Sequence, residues 1–246
     1  MRIKPSDLRR MFWRSTLIQG SWNFQCLIGL GFCYCALPVA RRLFSTETER
    51  QAFVQRHLEF FNAHPYFVSW CLGAVARLEE EGQRKKWGDL KPISVFKERM
   101  SGPLGAVGDR MFWSGIKPLS AAVGVWTALL VGWPAIAVFL LLYNVPHFFV
   151  RIRGLQLGYC RGFDVVSIFS LRRFQRYYDV IASLGLLFTG LTMAAAAGFS
   201  LRSGLSSTLS FALAIALTLI CLYHKRSVSL TLICVSVFSL ILGYFL

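Results

Sequence analysis

Read for its apolar and polar positions, the chain changes character near Met100: before it, apolar residues recur at helical spacing among charges, and after it long uncharged runs dominate. Ser6 or Asp7 is placed to cap a short helix carrying Leu8, Met11 and Phe12, with Arg9, Arg10 and Arg14 on its other faces. Such a basic amphipathic helix is suited to lie along a membrane surface. From Ser15 to Ala40 no formal charge appears, a run long enough to span, since about 20 residues are needed. Its first half holds Gln19, Gly20, Ser21, Asn23, Gln25 and Gly29, so it is expected to face a protein cavity rather than lipid. Pro38 and Arg41-Arg42 end it.

Glu47 to Ala76 places Phe53, Leu58 and Phe61 on one helical face and is broken at Pro65, which leaves Tyr66 to Ala76 as an interfacial or half-crossing segment. Leu78 to Met100, with Glu79-Glu80-Glu81 and Arg84-Lys85-Lys86, reads as a solvated loop with some helix at its start. Ala121 to Val150 carries no Lys, Arg, Asp or Glu, and Pro134 is expected to kink or divide it. Val180 to Leu201, Ser203 to Tyr223 and Ser227 to Leu246 each measure about one bilayer crossing at 1.5 Å per residue.

Between the two halves stands Gly102 to Leu119, which holds four glycines, two prolines, Asp109, Arg110, Lys117 and Trp113. Gly and Pro at this density weaken an ordinary helix. Irregular backbone at membrane depth is tolerated only where it is buried in protein or lines a cavity. The stretch is therefore expected to be a broken, re-entrant element shaping a polar site. The fold class that follows is all-α: a polytopic integral membrane protein of about five to six membrane segments, some partial. It is read as a single domain over residues 1–246, with an amphipathic, partly embedded region at 1–100 and the re-entrant segment plus transmembrane helices at 101–246.

Composition supports the membrane class. The 246 residues are 55% hydrophobic and 16% charged, with a mean hydropathy of +0.51. Lys and Arg outnumber Asp and Glu by 27 to 12. These bases flank apolar runs, as in loops held at an anionic cytoplasmic surface, and no nucleic-acid-binding module accompanies them. Residues 151–179 carry six arginines against Asp164 and Asp179, and Lys225-Arg226 follows a later run. Positive-inside bias puts both in the cytoplasm and the C-terminus outside. The first residues resemble a signal n-region, but no small-x-small site follows, so they are expected to stay on the mature protein.

Catalytic chemistry is not evident. The seven cysteines include no Cys-x-x-Cys pair, so neither a zinc site nor a dithiol motif is indicated. His57 and His64 are seven apart, and a metal would need ligands on one face. The Gly102-x-x-Gly105-x-x-Gly108 spacing lacks the Gly-Lys-Ser/Thr ending of a phosphate loop, and Ser114 misses the nucleophile elbow. No catalytic residue, cofactor or metal is assigned. Asp109 with Trp113 suits a polyol, since hydroxyls donate to a carboxylate and C–H faces pack on an indole. Equally, Asp109 suits a helix cap near Met111. A membrane enzyme acting on lipid or isoprenoid substrates would need acidic pairs, and Asp109 has no close acidic neighbour.

At these residues the chain resembles the IID membrane component of the mannose/fructose/sorbose-type sugar phosphotransferase system. The likeness rests on Gln19-Gly20-Ser21-Trp22-Asn23-Phe24, on His57 to Tyr66 (HLEFFNAHPY), on Leu78-Glu79-Glu80-Glu81, on Gly102 to Asp109 with Phe112-Trp113 and Pro118, and on Gly158-Tyr159 with Gly162. The chain differs from the family pattern at Gln25 to Ile28 and at Arg110. The resemblance implies a membrane subunit that works with a IIC subunit to move a hexose across the bacterial inner membrane while soluble IIA and IIB proteins phosphorylate it. It also implies that no residue of this chain is phosphorylated, and that IIC–IID pairs assemble further. Asn23, Glu59, Asn62, His64, Asp109 and Trp113 are the candidates for the cavity or the subunit contact. A non-transporting regulatory or scaffold relative is the alternative, motivated by the charges lost at Gln25 to Ile28.

Overall fold

The computed structural model describes residues 2–169, 171–202, 204–224, 233–234 and 237–238. The chain divides into two compact units, Met1–Gly185 and Leu186–Leu246. Among the described residues every extended element is helical: α1 Pro5–Ser15, α2 Gly29–Leu43, α3 Glu47–Leu58, α4 Val68–Lys85, α5 Lys91–Gly108, a π-helical segment Asp109–Ile116, α6 Lys117–Val131, α7 Ala135–Arg161, a 3₁₀ segment Gly162–Ile168, α8 Leu171–Arg202 and α9 Leu205–Tyr223. Among the described residues three stretches are long and apolar enough to cross a membrane, Lys91–Val131, Ala135–Ile168 and Phe174–Ser200, and Phe211–Ile220 is a shorter apolar helix. The crossing expected over Ser227 to Leu246 lies outside the described residues, apart from its two pairs.

Several boundaries differ from the sequence expectation for identifiable reasons. The uncharged run Ser15 to Ala40 is not one span: α1 ends at Ser15, turns occupy residues 16–28, and α2 is only 15 residues long. Asn23 Oδ1 stabilises those turns by accepting from the backbone N–H of Gln25 and Cys26, each at 3.0 Å. At α1 neither Ser6 nor Asp7 is the cap; Lys4 is, and Asp7 reaches back to its N–H at 3.0 Å. Leu78 to Met100 is mostly helix, shared between α4 and α5, with Glu79 and Glu80 buried. Their carboxylates are fully engaged. Glu79 accepts from Arg56 Nε at 2.9 Å and Nη2 at 3.0 Å, and from His57 Nε2 at 2.9 Å. Glu80 accepts from the Ile3 N–H at 2.8 Å and the Tyr159 hydroxyl at 2.5 Å. Glu79 and Glu80 read as solvated until these partners, 22 to 79 residues away, are in view, whereas Glu81 pairs locally with Arg77 and Lys85. Pro134 divides the long apolar run at a tight turn between α6 and α7.

The interruption expected around Gly102–Leu119 takes the form of a change of register. Pro103 is accommodated inside α5, and the chain stays helical from Lys91 to Val131. Over Asp109–Ile116 the turns widen, ending with the Lys117 N–H bonded to the Phe112 carbonyl five residues back.

The core of the first unit is the crossing of α4 with α7. A Cβ added at Gly73 would stand 2.2 Å from the Leu155 carbonyl oxygen, and one at Gly158 would stand 2.2 Å from that of Trp70. Gly154 leaves room for the Trp70 indole, 2.5 Å from its hypothetical Cβ. Small residues let two helix backbones touch and collect dispersion energy where lipid offers no hydrophobic drive. Around the crossing, Phe32, Phe53, Phe61, Phe67 and Leu72 are buried. By contrast α6, the turn after it and the first half of α7 expose Leu130, Trp133, Ile136 and Leu141, an apolar surface that suits lipid or a membrane partner.

Gly158→Ala is expected to cost about 1–3 kcal/mol through overpacking against Trp70. Gly190→Ala, where nothing lies within 4 Å of the added carbon, should not lower the melting temperature; thermal unfolding in detergent compares the two.

The α3–α4 charge cluster, outside the apolar spans, makes stability acid-sensitive. Burial pushes the His57 imidazole below its usual 6.5 despite the neighbouring Glu79. Burial opposes ionisation of Glu79 too, but His57 and Arg56 outweigh it and hold that carboxyl below 4.5. Both groups then bind fewer protons folded than unfolded, so stability falls as pH drops, first below about 6.5 from His57 and again below about 4.5 from Glu79. The midpoint of denaturant unfolding measured from pH 8 to 4 should be flat above 7, and His57→Gln should make the decline below about 6.5 shallower, leaving the share of the other buried histidine, His64.

Candidate functional site

A polar cavity of about 340 Å³ opens where the loop before α4 meets the junction of α5 with the π-helical segment. The loop contributes Asn62, Ala63, His64 and Pro65; α5 contributes Ser101, Gly102, Gly105 and Ala106; the π-helical segment contributes Asp109 and Trp113; Gln19 enters from the turns after α1. The loop is fastened at several points. The Ser101 hydroxyl donates to the Asn62 carbonyl, the Ile28 N–H to the Phe61 carbonyl at 3.1 Å, and the Phe67 N–H to the His64 carbonyl at 3.0 Å.

His64 is seated by the absence of a side chain beneath it. A Cβ at Gly108 would stand 2.2 Å from the His64 Cβ and 2.4 Å from its Cγ. The ring stacks on Phe112, with centroids 5.3 Å apart and planes at 24°, and lies 4.9 Å from the Trp113 centroid. Burial drives its pKa down to about 3, helped by the charge of Arg151. The neutral ring accepts the Tyr66 N–H at Nδ1, 3.3 Å away, so its proton sits on Nε2, which is buried without a hydrogen-bond partner. The carboxylate of Asp109 makes no hydrogen bond or ion pair with any described residue, and its backbone is helical inside a continuous helix. It is therefore not the helix cap that its position suggests. Trp113 is 41% exposed, and Lys117 Nζ lies 5.4 Å from its ring centroid.

Four of the sequence candidates, Asn62, His64, Asp109 and Trp113, thus line one cavity. Asn23 lies elsewhere, in the turn it stabilises. Glu59, half exposed at the end of α3, faces the buried ammonium of Lys97 at 3.6 Å. Gln19, expected from its polar run to face a protein cavity, does line one; Ser101 lines it without any spacing in the sequence that marks it. Arg151 was counted as loop charge but is 2% exposed within α7. It donates from Nε to His147 Nε2 at 2.7 Å, from Nη1 to the Ser15 carbonyl and hydroxyl, and its guanidinium carbon lies 5.1 Å from the Tyr66 ring centroid. The His147-x-x-x-Arg151 spacing, one helical turn on an apolar helix, was the available signal. Arg110, where the sequence departs from the family pattern, stacks 4.4 Å from the Tyr178 centroid on α8. Among the described residues no three His, Cys, Asp or Glu side chains converge on a metal-sized site.

The cavity offers amide groups, a free carboxylate and a flat apolar ring, with the neutral His64 packed into its wall. That set fits a neutral hydroxylated molecule better than an ion. Spans and cavity together define a polytopic helical membrane protein with an internal polar site.

Sequence comparison makes the class specific. Residues 2–246 match the family EIID-AGA, the PTS system mannose/fructose/sorbose family IID component. The chain is 35% identical to the PTS system mannose-specific EIID component of Escherichia coli K12, over 77% of this chain and 67% of that one. It is 33% identical to the fructose permease IID component of Bacillus subtilis, over 77% and 69%. A chain in the cryo-EM structure of the mannose transporter ManYZ with microcin E492 superposes with a TM-score of 0.63 at 35% identity, covering 77% of this chain and 70% of that one. The protein belongs to the mannose/fructose/sorbose family of phosphotransferase-system IID components.

Gly108→Ala should push the His64 ring out of its seat and collapse the cavity wall. The expected result is a local change of about 1–3 kcal/mol together with loss of His64 nuclear Overhauser contacts to Phe112. Gly102→Ala, with open space at the added carbon, serves as the silent control.

Proposed function

We propose that this chain pairs with a IIC membrane subunit and that the two carry a hexose across the bacterial inner membrane, soluble IIA and IIB proteins phosphorylating the sugar as it enters. The observation behind this reading is the convergence of Asn62, His64, Asp109 and Trp113 on one cavity, at the one stretch where the membrane-length helix leaves α geometry. In this role Asp109 accepts sugar hydroxyls, Asn62 donates or accepts, Trp113 carries a C–H face, and His64, its Nε2 buried, holds the wall behind them. The proposed topology puts the arginine-rich residues 151–179 in the cytoplasm and the C-terminus outside, with IIC–IID pairs assembling into a larger oligomer. Asn23 and Glu59, remote from the cavity lining, are better placed to hold the turns and the α3 end against neighbouring structure than to touch sugar.

The test is uptake of labelled hexose by cells making this chain with IIC, IIA and IIB partners. Asp109→Asn should keep membrane insertion and copurification with IIC while lowering uptake about ten-fold, the loss of one charge-assisted hydrogen bond. Normal uptake by Asp109→Asn and Trp113→Ala alike would remove the cavity from the transport path. Absence of any association with an intact IIC protein would overturn the pairing itself.

A further inference from the structure

A second polar cavity, about 190 Å³, lies between α1 and α2 and is lined by Asp7, Arg10, Arg14, Pro38, Arg41 and Arg42. Its one acid is already matched: Arg42 donates to Asp7 from Nε at 2.8 Å and from Nη2 at 3.3 Å. Arg14 is held in place by the Tyr34 carbonyl at 2.9 Å, with its guanidinium 4.5 Å from the Tyr34 ring centroid. Arg10 and Arg41 are exposed, and neither stands within ion-pair distance of a carboxylate among the described residues. The cavity therefore concentrates three arginine charges that nothing in the described chain neutralises, two free and one fixed in orientation.

The depth of this cavity points to its occupant. α1 packs along α7 where that helix leaves its lipid-suited run: Phe12 lies 6.4 Å from the Phe148 ring, and Trp13 joins Ile152 and Leu155 in an apolar groove. Phe149 and Ile152 are exposed there, and the exposed Arg153 comes one residue later. This is the level at which hydrocarbon gives way to headgroups, and α1, apolar toward α7 and basic toward α2, straddles it. Guanidinium forks match phosphate oxygens in pairs, which is why arginine rather than lysine suits this position. We propose that Arg10, Arg14 and Arg41, beside the Asp7-paired Arg42, form a binding site for the phosphate of an anionic phospholipid. This site is separate from the sugar cavity and stands whether or not that reading holds.

Native mass spectrometry of the full-length protein in mild detergent, titrated with phosphatidylglycerol or phosphatidylcholine of matched chains, tests it. Phosphatidylglycerol should bind more tightly, and Arg10→Gln with Arg41→Gln should weaken it about five-fold for each arginine removed. Arg84→Gln with Lys86→Gln, which removes the same charge from another exposed surface, should change little. Should the double variant unfold, Arg41→Gln alone is read the same way. Equal binding of the two lipids, or an equal loss in the Arg84/Lys86 variant, would reduce the effect to diffuse charge and overturn the proposal. Displacement of the lipid by inorganic phosphate at comparable concentration would assign the site to a soluble phosphate and overturn the lipid reading.

Discussion

The contact on which the rest of this structure depends is the backbone approach of α4 to α7 at Gly73 and Gly158. α4 is half polar and α7 is a membrane-length helix, so their union ties the charged N-terminal region to the apolar remainder. Because the spacing is set by main-chain atoms, it cannot relax around a larger residue as a side-chain contact would. Trp70, lodged against Gly154, and Tyr66, four residues before it, then have fixed positions. Tyr66 meets the Tyr143 hydroxyl at 2.7 Å and the His147 ring at a centroid distance of 4.0 Å. The loop bearing Asn62 and His64 leads directly into this contact, so the geometry of the cavity is inherited from the crossing.

Buried charge is the second organising element, and the protein treats its acids and its bases differently. Glu79 and Glu80 are saturated by partners from three separate segments, which converts a costly burial into specific long-range ties. Arg151 has no carboxylate partner; it is stabilised by the carbonyl at the end of α1, where the helix dipole is negative, and by an aromatic face. Replacing Arg151 would therefore release α1 from α7 rather than merely remove a charge. Asp109 is the contrasting case, an acid left without any partner beside an unpartnered imidazole N–H. The convergence of that unpaired carboxylate with Asn62, His64 and Trp113 on one cavity is the physical reason to regard that place as the site.

Much of this was legible in the sequence. Asp109 and Trp113 were marked by their Gly- and Pro-rich surroundings, and Pro134 by its place inside an uncharged run. Membrane class and the apolar helices followed from hydropathy alone. What was not legible shares a cause: it depended on partners distant in the chain. The burial of Glu79 and Glu80 needed Arg56, His57, Ile3 and Tyr159 in space. The shortness of α2 followed from the turns over residues 16–28, which look like uncharged span when only charge is counted. His57 and His64, both within the HLEFFNAHPY stretch, part for a related reason. Helix α3 ends at Leu58, so His57 turns into the core while Asn62 and His64 go to the cavity.

The widened turns over Asp109–Ile116 carry an angular consequence. In an α-helix four residues overshoot a full turn by roughly 40°, whereas a wider turn holds residues four apart closer to a common azimuth. Asp109 and Trp113 are four apart, and both line the cavity. The same widening offsets the azimuth of α6 from that of α5, whose Ile93, Phe96, Met100, Leu104 and Val107 point into the core. One unbroken rod can thus present its inward face in its first half and an outward face in its second. Insertions or deletions within these eight residues would act as rotations, so length in this segment is a constraint as strict as residue identity.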